Sequence, residues 1–157
     1  MLHIAPISKN ANIFTHPVNK FLVKQLQVPF IQKITEYELA KFDRVLKEVI
    51  QKIADLPENW DAYQASAVEK DVLKNTQELL LKLPLRFKKY LNITDITPTP
   101  NGTILLEWNK DNNFLLVDVG KQGITIASNN LQKNVPISEA FPTLVQCLEN
   151  FYYDGVS

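Results

Sequence analysis

The apolar and polar positions divide this chain into a helical first half and an alternating second half. Leu39, Phe42, Leu46, Val49 and Ile53 recur at three- and four-residue steps, with Val45 and Ile50 widening the stripe. Lys41, Asp43, Arg44, Lys47, Glu48 and Lys52 fall elsewhere, so one face of a helix is apolar and the rest polar. Thr35-Glu36-Tyr37-Glu38 has the form of a capping box, and Ile34 can staple onto Leu39; the spacing predicts a helix from here to about Asp55, stopped by Pro57. A second box, Ser66-Ala67-Val68-Glu69, precedes the stripe Val68, Val72, Leu73, Thr76, Leu79, Leu80 and Leu83, which ends at Pro84. Two helices joined by about ten residues suggest a helical hairpin. Leu85 to Tyr90 reads as one further amphipathic turn.

From Ile93 onward the period becomes two. Short strands are predicted at Ile93 to Thr97, Thr103 to Trp108, Phe114 to Val119 and Ile124 to Ala127, separated by runs rich in Pro, Asn and Gly. Gly102, in Pro98-Thr99-Pro100-Asn101-Gly102, can take the positive φ that such a turn requires. Loops this short exclude parallel crossovers, so the strands form an antiparallel meander. Asn129 to Val135 reads as a polar loop. Ser138 can cap a final helix that tolerates Pro142 in its first turn and buries Phe141, Leu144, Leu148 and Phe151.

Residues 1–33 carry apolar side chains without a clean period and are interrupted by Pro6, Pro17 and Pro29, which predicts an extended arm with a strand or short helix near Phe21 to Val28. Such an arm is apolar enough to lie across the domain or bind another subunit. The expectation is therefore an N-terminal arm, 1–33, and a single α+β domain, 34–157: a helical pair packed on an antiparallel sheet of about four strands, closed by a C-terminal helix.

Composition narrows the function. A chain of 157 residues buries roughly 68–70% of its unfolded surface, enough for one core. Lys+Arg 17 against Asp+Glu 17 leaves no net charge to steer it toward nucleic acid or an anionic membrane. Cys147 is the single cysteine and His3 and His16 the only histidines, so neither an internal disulfide nor a zinc site is expected. The absence of a leader-like start or a long apolar run points to a cytoplasmic protein.

Three groups of residues carry candidate chemistry. Asn59-Trp60-Asp61, between the two helices, is either a structural anchor, with the indole packed beneath the loop and the polar side chains holding backbone amides, or a recognition surface. Glu107 and Asp118 each sit on a largely apolar strand, and with Asp61 they could hold a metal in a hydrolase or nuclease. The bland reading places them on the solvent face. Lys110 and Lys121 follow the two acids at three residues, in turns, where a nuclease of the restriction type requires two residues on one strand face. Lys82, Arg86, Lys88 and Lys89, interleaved with Phe87 and Tyr90, could grip a nucleic acid or form a solvated face. No phosphate-cradling glycine loop occurs, and Cys147 reads as a small core residue.

The segments Asn59-Trp60-Asp61-Ala62-Tyr63 and Pro98-Thr99-Pro100-Asn101-Gly102-Thr103-Ile104-Leu105-Leu106-Glu107-Trp108 together resemble a group of small, functionally uncharacterised bacterial proteins. These carry an NWDGYGA-type loop and a PTPDGG-x-x-LEW-type hairpin. The resemblance covers roughly Leu56 to Ala127 and implies a bacterial or phage origin and a shared α+β core, with no established activity. This chain departs from it at Ala62 and Gln64, where glycines are usual. Taken together, the sequence leads to the expectation of a non-catalytic protein-binding module, such as an antitoxin, immunity or accessory protein of a bacterial two-gene or defence system. Trp60, Asp61, Tyr63 and Trp108 are its expected partner-binding residues, and the partner is another protein, in a hetero- or homo-oligomer. No cofactor, metal, membrane or nucleic acid is expected to be involved.

Overall fold

A computed structural model describes the backbone over residues 17–153 and side chains from residue 33. The chain divides into two units, Met1–Glu38 and Leu39–Ser157. The described part of the first unit is helical and forms the beginning of α1 (Pro17–Ala54). The helix therefore starts well before Thr35, and Thr35-Glu36-Tyr37-Glu38 lies within it. A box pattern identifies residues that can cap, but Thr and Glu are also tolerated inside a helix when the backbone on both sides is already helical. Pro29 falls in the helix interior, where it brings no N–H for the carbonyl four residues back. The part of the expected arm at residues 1–16 lies outside the described residues.

In the second unit, α1 is followed by α2 (Lys70–Lys82), α3 (Leu85–Lys88), a 3-10 turn (Ile93–Asp95), β1 (Ile96–Pro98), β2 (Ile104–Lys110), β3 (Asn113–Val119), β4 (Gly123–Ser128), β5 (Leu131–Pro136) and α4 (Ile137–Tyr153). The strands form one antiparallel sheet in the order β1-β2-β3-β4-β5. The α+β architecture with a C-terminal helix is thus as expected, with five strands where about four were predicted. The added strand is β5, read from sequence as a polar loop. It is an edge strand whose other residues are exposed and which turns only Val135 inward, so its apolar alternation is almost empty.

Register sorts the sheet into two faces. Leu106 stands between Ile96 and Val117, and Val119 between Ile104 and Ile124. These residues, with Trp108, Leu115 and Ile126, turn to one face and are buried. Helices α2 and α4 cover that face. From α1 come Leu46, Val49, Ile50 and Ile53; from α2, Val72, Leu79 and Leu80; from α4, Ala140, Leu144, Leu148 and Tyr152. The α4 stripe thus keeps the expected Leu144 and Leu148, while Ala140 and Tyr152 are its buried ends and the expected Phe141 and Phe151 are half-buried at its margin. Thr76, fully buried, donates its hydroxyl hydrogen to Val72 O at 2.8 Å, so no polar group is stranded there.

The opposite face carries Leu105, Glu107, Leu116, Asp118, Thr125 and Ala127, all half-exposed. This is the partition that the alternation of β2 and β3 predicts. Because α2 and α4 fill only the first face, Leu148→Ala should lower unfolding stability by about 2–5 kcal/mol in a denaturant titration, the cost of a large-to-small change in a packed core. Leu81→Ala, at a residue 41% exposed, should change it by no more than about 0.5 kcal/mol.

Candidate functional site

The sheet brings two turns to one end. Since Pro98 pairs with Ile104, Ile104 with Val119 and Val119 with Ile124, the β1–β2 and β3–β4 turns are neighbours. The loop between α1 and α2 closes over the same end. It is held first by itself: Asn59 N–H donates to Ala65 O at 2.7 Å, and Asn59 Oδ1 accepts from Gln64 N–H at 2.7 Å. Asp61 Oδ1 accepts from Tyr63 N–H at 2.8 Å and from Ala65 N–H at 3.0 Å. The Trp60 indole N–H donates to Ser66 O at 3.3 Å.

These bonds hold an unusual backbone. Asn59, Ala62 and Gln64 have φ of 60°, 63° and 72°, in the left-handed region. Asparagine tolerates this conformation; alanine and glutamine meet their Cβ clash there, about 1–2 kcal/mol each. Ala62 and Gln64 are thus positions where glycine would relieve strain. What the loop presents is Tyr63, 87% exposed, beside a half-buried Trp60.

The loop is then tied to the sheet. Ser66 N–H donates to Pro100 O at 2.9 Å, which fixes Ser66 against the β1–β2 turn instead of at a helix start. Helix α2 accordingly begins at Lys70, with Glu69 at its N-cap and no side-chain cap bond. Gly102 has φ +76°, and a Cβ there would lie 3.1 Å from Ala67 O, so conformation and space both call for glycine. Glu69 and Asp71 instead engage Lys121 of the β3–β4 turn, at 2.8 and 3.6 Å, and the Glu69 hydrogen bond and charge hold the Lys121 ammonium above its ordinary range. Asn75 Nδ2 donates to Gly120 O and Lys121 O, both at 3.0 Å.

Beside that turn a pocket of about 390 Å³ opens on the half-exposed side of the sheet, with Thr103, Asp118, Gly120, Thr125, Asn134 and Pro136 among its walls. Sequence reasoning singled out Asp118 but missed the pocket, because Asn134 and Pro136 belong to the unrecognised β5. Gly123 is required where β5 passes: a Cβ there would stand 2.3 Å from Val135 O.

Two expectations need correction. Trp108 is fully buried, its indole N–H donating to Phe87 O at 3.3 Å, so it is a core residue and presents nothing to a partner. Lys88 is 3% exposed; its ammonium donates to Leu81 O at 2.8 Å, lies 3.7 Å from Asp43 and sits over the Phe42 ring. It is lost to the basic patch. Of the other members, Arg86 is paired with Glu149 and stacks on Phe87, Lys89 lies over Tyr90, and Lys82 is exposed.

The carboxylates stand apart in their roles. Asp61 holds the loop, Glu107 accepts from Asn109 Nδ2 at 2.9 Å, and Asp118 lines the pocket. Lys110 and Lys121 serve neither strand acid, the first donating to Tyr152 O and the second to Glu69. Among the described residues no three His, Cys, Asp or Glu side chains gather as a metal ion would need. Cys147 is half-buried against the core, and burial pushes its thiol above the ordinary range. His3 and His16 lie outside the described residues. Among the described residues, no helix is long and apolar enough to cross a membrane.

Ala62→Gly and Gln64→Gly should each raise the unfolding free energy by up to about 1 kcal/mol, the left-handed strain relieved less the added freedom of the unfolded chain. Asp61→Ala, which leaves the buried Ala65 amide without its acceptor, should lower it by about 1–3 kcal/mol; thermal and denaturant unfolding of the three variants measure all of these changes. Against protein-family models, curated proteins and solved structures, the chain finds no match.

Proposed function

We propose that the chain is a non-catalytic protein-binding module working in the cytoplasm, and that its recognition surface is the end of the sheet capped by the Asn59 to Ala65 loop. The observation that carries this reading is the pairing of a strained, internally hydrogen-bonded backbone with a bare aromatic side chain: Tyr63 is 87% exposed between Ala62 and Gln64, both at positive φ. Strain of this kind persists when the surroundings enforce it, and it concentrates where a side chain must be held in place before a partner arrives. Tyrosine suits that use, offering a large amphipathic contact with only two side-chain torsions to freeze. Trp60 is half-buried and anchors the same loop through its indole N–H on Ser66 O.

An antitoxin, immunity or accessory protein of a bacterial two-gene or defence system is the form of this function that size and the spread of acids favour. Kinship with the bacterial proteins sharing the two motifs belongs to the same proposal. Capture from the native host with the wild-type chain and with Tyr63→Ala, compared by quantitative mass spectrometry, tests it. A protein held by the wild type and weakened about tenfold or more by Tyr63→Ala, at unchanged melting temperature, is the expected result; the loss matches a contact of hot-spot size. If every captured protein is retained equally by the variant, the loop is a structural anchor only.

A further inference from the structure

Asp118 lies on β3, the central strand of the five, in register between Leu105 of β2 and Thr125 of β4. Its neighbours leave it unsatisfied. Leu105 has no donor to give, and the Thr125 hydroxyl hydrogen is directed at Asn134 Oδ1, 2.9 Å away. Asp118 Oδ1 is closed off from solvent and finds no hydrogen-bond partner among the described residues. The residue as a whole nevertheless remains half-exposed and lines the pocket, which leaves Oδ2 as the oxygen through which its charge is reached. Among the described residues, no other charged side chain lines that pocket. Lys121, on the turn that follows Asp118, is engaged by Glu69 and Asp71.

A carboxylate held in the middle of a sheet and denied donors by both neighbouring strands costs stability in the free protein. It gains most from a cation brought in from outside, since a charge-assisted hydrogen bond in a partly desolvated pocket is about twice as strong as a neutral one. With a volume of about 390 Å³, this open depression has room for one side-chain head group. Thr125 Oγ1, whose hydrogen is already directed elsewhere, adds an acceptor on the same side.

We infer that this pocket receives an arginine side chain of the protein partner, its guanidinium paired with Asp118. The inference rests on the protein-binding reading above and gives its partner a chemistry: an arginine that reaches the outer face of the sheet near the end that the loop bearing Tyr63 closes over. Arginine fits better than a simple ammonium because its fork of donors can serve Asp118 and Thr125 together.

The probe is N-acetyl-arginine methylamide, titrated into the full chain while backbone amide resonances are followed by NMR. Shifts should centre on Asp118, Gly120, Gly123 and Thr125, weaken about tenfold or more in Asp118→Asn, and persist in Glu69→Gln and Asp71→Asn. Shifts centred on Glu69 and Asp71, or unchanged in Asp118→Asn, overturn the inference. A second measurement guards against a purely structural Asp118: without probe, Asp118→Leu should melt at a higher temperature than the wild type, and a lower one counts against a binding role. Partner capture separates the two proposals. Capture lost in Tyr63→Ala but kept in Asp118→Asn refutes the arginine site and leaves the binding module standing. Probe binding at Asp118 with capture lost in Asp118→Asn but indifferent to Tyr63 keeps the arginine site and removes the loop from the recognition surface.

Discussion

Antiparallel register is the constraint from which everything else in the second unit follows. Ile104, Leu106 and Trp108 face inward together with Leu115, Val117 and Val119 because each pair is in register, and the helices have only that face to cover. A slip of one residue between β2 and β3 would carry Glu107 or Asp118 beneath α2 and α4 and turn three large apolar side chains out. The penalty for burying an unpaired carboxylate makes that alternative inaccessible. The same acids that look like candidate chemistry thus also help to specify the fold, by being intolerable on the wrong side.

The end of the sheet gains its order from a chain of local commitments. Gly102 lets the β1–β2 turn pass close to Ala67, Ser66 is then bound to Pro100, and the helix that Ser66 could have capped begins three residues later, with Glu69 at its N-cap. That displacement frees Glu69 and Asp71 to hold Lys121, and Asn75 to hold the carbonyls of the neighbouring turn. A rigid frame results, on which the loop can stay in a conformation that Ala62 and Gln64 would not choose alone. Rigidity in the frame and strain in the loop are two sides of one arrangement.

Much of the core could be read from periodicity because a stripe such as Leu46, Val49, Ile50 and Ile53 carries its own evidence in spacing. The buried set of α2 and the two faces of β2 and β3 were legible for the same reason. Helix boundaries were not: Thr35 and Ser66 each stand in a valid capping pattern, yet one lies inside a longer helix and the other is claimed by a turn 34 residues away in sequence. Nor was β5, since an edge strand paired on one side leaves most side chains in water and has little apolar pattern to show. Of the candidate site, sequence singled out Trp60, Asp61 and Tyr63 for partner binding and Asp118 only as a possible metal ligand, and it did not show how the turns assemble around them. Trp108 and Lys88 looked available only because sequence cannot tell which aromatic or cation the packing will swallow.

Lys88 has a consequence of its own. Its ammonium has exchanged water for the Leu81 carbonyl, Asp43 and the face of Phe42. Any fluctuation that lifts the Phe42 and Asp43 turn of α1 away from α3 must either strand that charge or open a path for solvent to reach it. Partial fraying there therefore carries the cost of giving up those three contacts at once.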